Sequence, residues 1–161
     1  MTGLHNAYLS NRQLSVWEML GSGLSQSEIA RMLKVSRQAV NQLAQSIPEK
    51  VTAALSDAAR LNGVEPRHID STKGMLFGWS REFDTEAVIT LNREVGLHIW
   101  YKHNLGRCKI CPDKHQCRSM LLKTAEVLGI SLTSDEKELT PSSLSSLVFS
   151  RARGRYDQNR V

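Results

Sequence analysis

The spacing of apolar residues and helix boundaries in residues 14–43 constrains the fold of this chain more than any other feature. Leu14, Trp17 and Leu20 recur at i, i+3 and i+6, a spacing that places them on one face of an α-helix. The Gly-Ser-Gly triplet at 21–23 then predicts the end of that helix. The chain therefore opens with a short amphipathic helix followed by a sharp break.

Two further helix starts follow at short intervals. Ser25 stands three residues before Glu28, which predicts a capping box at the start of a second helix. Ser36 is a suitable N-cap for a third helix. The predicted buried residues of these two helices and of the turn between them are Ile29, Ala30, Leu33, Val35, Ala39, Val40 and Leu43. Three short helices in this order predict a helix-turn-helix.

Polar side chains occupy the other face of the third helix, near its N-terminus. A recognition helix presents its N-terminal residues to base edges in the major groove of duplex DNA. Arginine pairs there with guanine, and glutamine or asparagine pairs with adenine. We therefore predict that double-stranded DNA is the partner and that the contacts come from Ser25, Gln26, Ser36, Arg37, Gln38, Asn41 and Gln42.

The first third of the chain resembles the helix-turn-helix superfamily that includes LuxR-type and sigma-region-4-like domains, and it looks most like the N-terminal domain of Tfx-type archaeal regulators. The resemblance implies a DNA-binding transcription regulator rather than an enzyme. A formal net charge of +5 is consistent with a polyanionic partner. The alternative is a helix bundle that binds protein only.

A fourth helix is predicted after the recognition helix. Ser46 and Glu49 form a second potential capping box, Pro48 suits the first helical turn, and the helix would run to about residue 62 and end at Gly63. This helix either packs on the helix-turn-helix or pairs with its copy in a second subunit, and we favour a homodimer because two recognition helices lengthen the DNA site. Its apolar stripe consists of Val51, Ala54, Leu55, Ala58, Ala59 and Leu61.

The pattern changes after residue 63. Segments 74–79, 87–91 and 97–101 are rich in β-branched and aromatic residues and are separated by turn-forming residues, which predicts a small antiparallel meander. Helices are predicted at 116–128 and near 142–149, and the basic tail 151–161 is not expected to be ordered on its own. The predicted class is α+β, with a helix-turn-helix bundle and dimerisation helix at 1–63 and a metal-binding sensor domain at 64–161.

All three cysteines of the chain lie within ten residues, at Cys108, Cys111 and Cys117. Three thiols cannot pair evenly, and a cytoplasmic protein rarely collects thiols for disulfides, so ligation of a soft metal is the better explanation. His103 would complete a Cys3His zinc tetrahedron. The other candidate ligands are Asp113, the preferred alternative to His103, and then His115 and His98.

The order Cys-x2-Cys-Pro-x4-Cys followed by a helix is similar to the last three cluster cysteines of WhiB-like iron–sulfur regulators. The spacing Cys-x2-Cys-x5-Cys also resembles that of iron–sulfur nucleases of the RecB type. These resemblances imply that Cys108, Cys111 and Cys117 are cluster ligands. The separate upstream cysteine of those families is absent here, which leaves His103 or Asp113 as the fourth ligand. We favour an iron–sulfur cluster, [4Fe-4S], with zinc as the alternative.

These features together predict a cytoplasmic, dimeric transcription regulator whose DNA binding responds to an iron–sulfur cluster. The sequence has no run long enough to span a membrane and no signal-peptide pattern. One alternative is a regulator with structural zinc. Another is an enzyme, either a nuclease or recombinase or a thiol redox catalyst, but Glu82, Asp84 and Glu86 alternate without a partner motif and are interpreted as a solvated edge.

Overall fold

The computed structural model describes residues 8–102 and 107–158. Three helices, α1 (Asn11–Gly21), α2 (Gln26–Leu33) and α3 (Arg37–Leu61), precede strands β1 (Val64–Asp70), β2 (Met75–Ser80), β3 (Thr85–Asn92) and β4 (Gly96–Tyr101). A 3₁₀ turn (Arg107–Lys109) and helices α4 (Lys114–Val127), α5 (Ser134–Lys137) and α6 (Pro141–Gln158) follow. The predicted α+β class is confirmed. Across the two described ranges, no helix combines the length and the apolar character needed to cross a membrane.

The four strands form an antiparallel meander in the order β1-β2-β3-β4, and the sheet lies between two layers of helices. Side chains alternate between its two faces, as the period of two along a strand requires. Leu76 and Ile89 are register partners and belong to the core that the sheet shares with α1, α2 and α3. Phe77 and Val88 are the next pair and belong to the core shared with α4 and α6. The sheet thus separates the helix-turn-helix from the C-terminal helices and contacts both.

The recognition helix and the predicted fourth helix are one continuous helix, so the predicted break between them is wrong. The Ser46 hydroxyl donates to the Leu43 carbonyl oxygen at 3.1 Å and caps no helix start. Ile47 and Val51 are fully buried on either side of Pro48, which itself is exposed. Because one uninterrupted apolar stripe is buried along α3, continuing the helix outweighs the backbone hydrogen bond that proline cannot donate.

The apolar stripe of α3 is buried within its own chain. Val51, Ala54, Leu55, Ala58 and Ala59 all belong to the core that joins α3 to the sheet. The stripe is therefore not free to pair with a second subunit, contrary to the dimerisation role that the sequence suggested for it. Leu61, the last predicted member of the stripe, is 74% exposed, because α3 ends there and the chain turns into β1.

Strand β1 was not predicted from the sequence. It contains Pro66 and lacks alternation of apolar and polar residues, and its register with β2 shifts between Pro66 and His68. Proline is tolerated in a sheet at an edge strand, where its missing N–H leaves no central ladder position unpaired. The position of β1 at the edge of the meander explains why a sequence that reads poorly as a strand still pairs as one.

The C-terminal helix is longer than predicted and includes part of the basic tail. Arg151 donates to the Ser131 carbonyl oxygen at 3.0 Å and to both carboxylate oxygens of Glu136. The hydrogen bond from Arg151, followed by that from the Thr133 backbone, lowers the pKa of Glu136 to about 2. Ala152 is buried in the second core. These contacts order the first residues of a segment whose composition alone suggests a solvated tail.

The acidic residues after β2 are not all a solvated edge. Glu82 and Asp84 are exposed. Glu86, however, accepts hydrogen bonds from Arg153 at 2.9 Å and from Lys102 at 3.2 Å. The pKa of Glu86 lies below its usual value, and the hydrogen bond from Arg153 is the largest cause. Partial burial of the carboxylate acts in the opposite direction, but the two cations outweigh it. The interpretation of Glu86 as a solvated residue is therefore wrong.

Candidate functional site

The predicted helix starts of the helix-turn-helix are confirmed in atomic detail. At the start of α2, the Ser25 hydroxyl accepts the Glu28 amide proton at 3.3 Å, and the Glu28 carboxylate accepts the Ser25 amide proton at 2.8 Å. At the start of α3, the Ser36 hydroxyl accepts the Ala39 amide proton at 3.1 Å. Both serines therefore satisfy backbone donors at helix N-termini, and both lie at the exposed end of the bundle.

The first two turns of α3 present a polar surface. Val40 is fully buried and fixes the rotation of the helix, so that the opposite side faces outward. Arg37, Gln38 and Gln42 are exposed and Asn41 is half-buried. This exposure pattern agrees with the side-chain distribution that the sequence predicted, although contact with DNA stays a prediction for each of the seven residues.

A hydrogen bond joins the two helices of the motif at this surface. The Gln26 side-chain amide donates to the Asn41 side-chain oxygen at 3.4 Å, so the N-terminus of α2 lies beside the second turn of α3. Gln26 is itself half-buried. The structure thus brings the predicted residues of α2 and α3 to one end of the molecule, and Gln26 restrains the orientation of Asn41.

Two basic residues that the sequence analysis did not include lie shortly before the start of α3. Arg31 and Lys34 are exposed at the end of α2 and in the turn before α3. Lys34 adopts the left-handed conformation with φ of 54°, and the Val35 amide then donates to the Ala30 carbonyl at 3.0 Å. This closure of α2 leads directly into the cap of α3. Arg31 and Lys34 could have been found from the sequence, because both cations lie within six residues before the Ser36 cap. This position is suited to phosphate contacts.

The helix-turn-helix is attached to the sheet by α1 as well as by α3. The Trp17 indole N–H donates to the Ser71 carbonyl oxygen in the β1–β2 turn at 3.0 Å. Arg93, in the β3–β4 turn, donates to the Glu18 carboxylate at 2.9 Å. Both turns belong to the same end of the meander, so α1 is fixed against it by one part-buried and one exposed contact.

The three cysteines lie in the segment between the sheet and α4. Cys108 is in the 3₁₀ turn, Cys111 follows it, and Cys117 is in the first turn of α4, where its amide donates to the Asp113 carbonyl at 3.0 Å. All three are free thiols and half-buried. Burial raises the pKa of the Cys117 thiol, and the negative charges of Cys111, Asp113 and Cys108 raise it further. A bound cation would favour the thiolate form of Cys117, which these surroundings disfavour.

The described residues supply the donor chemistry of a soft-metal site but do not close one. Across residues 8–102 and 107–158, no group of three His, Cys, Asp or Glu side chains is close enough to hold a metal ion. The preferred fourth ligand, His103, lies outside the described residues. Asp113 precedes α4, is exposed, and makes no capping hydrogen bond with its side chain.

The two other candidate histidines lie in different surroundings. His115 is exposed in the first turn of α4. His98 lies in β4, with its ring 4.1 Å from that of Trp100, and burial lowers its pKa. A half-buried imidazole packed at a tilt against a core tryptophan has a packing role that requires no metal, which makes His98 the weaker ligand of the two by position.

Comparison with known proteins supports the assignment of the N-terminal helices. Residues 7–60 match the family model of bacterial regulatory proteins of the luxR family. The matched segment covers α1, α2 and nearly all of α3, and it ends before the sheet. No curated protein and no solved structure matches the chain. The LuxR-type helix-turn-helix predicted for the first third of the chain is confirmed, whereas the cysteine segment has no counterpart in these comparisons.

Proposed function

We propose that this chain is a DNA-binding transcription regulator that reads the major groove with the first two turns of α3. The observation that carries the proposal is the exposed polar face of Arg37, Gln38 and Gln42 on a helix whose opposite side is fixed in the core. The match to regulatory proteins over residues 7–60 supports it. Arg31 and Lys34 beside this face would supply phosphate contacts, which position a protein on the duplex without reading its sequence.

Salt-dependent binding to duplex DNA tests this proposal. Phosphate contacts release condensed counterions, so we expect log Kobs to fall linearly with log salt concentration, by about 0.9 for each neutralised phosphate. Fluorescence anisotropy with a labelled duplex at several salt concentrations measures the slope. Replacing Arg31 and Lys34 with glutamine should reduce its magnitude by about two, one for each lost phosphate contact. Absence of duplex binding at low salt would favour a helix-turn-helix that binds protein.

We further propose that Cys108, Cys111 and Cys117 hold an iron–sulfur cluster, with His103 or Asp113 as the fourth ligand. Three free, half-buried thiols within ten residues support this assignment. When bound, such a cluster supplies redox sensitivity to the protein that carries it. Cys108 lies in the 3₁₀ turn and Cys117 in the first turn of α4. Ligation of both to one cluster would therefore restrain these two elements relative to each other.

Metal content distinguishes the cluster from structural zinc. We expect protein purified without oxygen to absorb near 400 nm and to contain about four irons and four sulfides per chain, as in a [4Fe–4S] centre. Replacing Cys117 with serine should remove most of this iron. The matched control is Ser119→Ala, an exposed position in the same helix. About one zinc per chain without colour would contradict the cluster and leave a regulator with a structural site.

We also propose that the regulator acts as a homodimer, because one recognition helix reads only a few base pairs. The apolar stripe of α3 packs on the sheet of its own chain, so the subunits would pair through a different surface. Light scattering of the free protein and of its complex with duplex DNA would give the stoichiometry. One chain per duplex at saturation would contradict this part of the proposal.

A further inference from the structure

A groove of about 1070 Å³ lies between α6 and the face of the sheet that packs on α4 and α6. Lys109 of the cysteine segment is among its lining residues. Val88 and Trp100 are register partners on β3 and β4, and both line the groove. Phe149 of α6 lies opposite, with its ring centre 6.0 Å from that of Trp100. All three side chains are at least nine-tenths buried, so the groove has an apolar floor built from the second core.

The groove also carries an excess of positive charge. Among the described residues, its lining includes three cations, Lys102, Lys109 and Arg153, and one carboxylate, Glu86, which leaves two positive charges in excess in this part of the wall. Arg153 and Lys102 both donate to Glu86, at 2.9 Å and 3.2 Å, whereas Lys109 is exposed. Six hydroxyl side chains complete the wall: Thr140, Ser142, Ser143, Ser145, Ser146 and Ser150.

Gly154 leaves this groove open where a larger residue would fit. It lies inside α6 and lines the groove, and a Cβ atom built on it would meet nothing within 4 Å. Glycine is disfavoured in the interior of a helix relative to alanine, because it loses more backbone entropy on folding. Within the part of the chain that the structure describes, neither packing nor backbone conformation requires glycine at this position, and the space beside it is open.

We propose that this groove binds a small organic carboxylate with an aromatic or branched apolar body. The apolar floor would cover the body, the excess cations would pair with the carboxylate, and the hydroxyl groups would fix its orientation. Small-molecule sites combine an apolar lining with a few placed polar groups in this way, and their volumes are commonly several hundred Å³. An inorganic anion would use the cations alone and make no contact with the apolar floor. The site is separate from the proposed DNA contacts, and no proposed metal ligand is among its described lining residues, although Lys109 lies between Cys108 and Cys111 in the chain.

The test is calorimetric titration of the full-length protein with naphthalene-2-carboxylate and, separately, with the uncharged naphthalene-2-carboxamide. We expect saturable binding of the carboxylate with a Kd below 1 mM and binding of the carboxamide at least fivefold weaker. Gly154→Phe should reduce carboxylate affinity at least tenfold, because the new ring would occupy the groove. Gly154→Ala should leave the affinity unchanged. Both variants should unfold at or above the wild-type temperature, which separates a filled groove from a damaged fold.

A second pair of variants tests the role of charge. Lys109→Gln should weaken carboxylate binding about fivefold, the effect of one exposed ion pair at the upper end of its usual range. Lys137→Gln removes the same charge from an exposed site on α5 outside the groove and should have no effect. No saturable binding of the carboxylate, equal affinity for the carboxamide, or full affinity in Gly154→Phe would each overturn the proposal. None of these measurements contains DNA, so their failure is distinct from failure of the regulator function.

Discussion

Replacing Arg37 and Gln38 together with alanine is expected to weaken binding to the preferred duplex by about a hundredfold or more. Both side chains are exposed in the first turn of α3. A good bidentate contact from such a residue to a base contributes about 1–3 kcal/mol of discrimination, and two such losses multiply in the binding constant. The preferred duplex can be selected from a random pool with the wild-type protein. Anisotropy titrations at one fixed salt concentration then give the affinities of both proteins.

The matched control replaces Gln45 and Arg60 with alanine. They are an exposed glutamine and an exposed arginine of the same helix. Arg60 lies in the last turn, roughly 35 Å along the axis from Arg37 at 1.5 Å per residue. We expect this pair to change affinity less than threefold, mainly through the loss of one distant charge. Equal losses from the two pairs would show that α3 contributes net charge rather than base contacts, and would contradict the assigned interface.

Gly74→Ala is expected to lower the free energy of unfolding by about 3 kcal/mol or more. Gly74 ends the β1–β2 turn with φ of +65°, a conformation that costs an L-residue about 1–2 kcal/mol. An added Cβ would also overlap the Leu91 carbonyl oxygen and lie 2.7 Å from Cη2 of the Trp17 ring. Overpacking of this kind typically costs a further 1–3 kcal/mol. Urea denaturation followed by circular dichroism measures the sum.

Gly63→Ala isolates the backbone part of this effect. Gly63 follows α3 with φ of +61°, nearly the same as Gly74, but a Cβ atom there would meet nothing within 4 Å. We expect a loss of only about 1–2 kcal/mol for this variant. If both substitutions destabilise the protein equally, the close approach of Trp17 and Leu91 to Gly74 contributes nothing to stability, and the attachment of α1 to the sheet at this turn is weaker than the structure implies.

The sequence predicted the helix starts well, because they depend on local chemistry. Ser25 with Glu28, and Ser36 with the amides that follow it, cap their helices through bonds between residues three apart. Three of the four strands were predicted for a similar reason, since their β-branched and aromatic residues favour a pleated surface. The helix caps rest on contacts three residues apart, and the strands were recognised from the composition of each segment, although their pairing joins residues up to fifteen positions apart.

The errors arose where distant contacts overrule local preference. Ser46 and Glu49 satisfy the pattern of a capping box, yet the buried positions on both sides of Pro48 keep α3 continuous. Strand β1 pairs because β2 lies beside it, although its own composition is poor for a strand. The first residues of the basic tail are helical because Arg151 bonds Glu136, fifteen residues earlier. A local pattern carries no information about partners of this kind.

The cysteine segment shows a different limit. Its spacing predicts the chemistry of the donors, and in the structure burial, followed by the charges of Cys111, Asp113 and Cys108, raises the pKa of the Cys117 thiol. A spacing does not, however, specify convergence on one point or the identity of a fourth ligand, because both depend on the path of the backbone between the sheet and α4. The assignment of Cys108, Cys111 and Cys117 as metal ligands therefore stays a prediction from their spacing, and the spacing does not define the fourth ligand.

The continuity of α3 has a mechanical consequence for the whole molecule. The first turns of α3, for which base contacts are proposed, and the turns that pack on the sheet share one backbone of 25 residues, so they have no loop between them to absorb motion. A displacement of the sheet would be transmitted along about 37 Å of helix as a tilt or rotation of the turn that carries Arg37 and Gln38. Pro48 offers the one compliant point, since its nitrogen cannot donate to the Ala44 carbonyl. A movement of the C-terminal helices that displaces the sheet would therefore change the orientation of the first turns of α3. The length of the helix would stay the same.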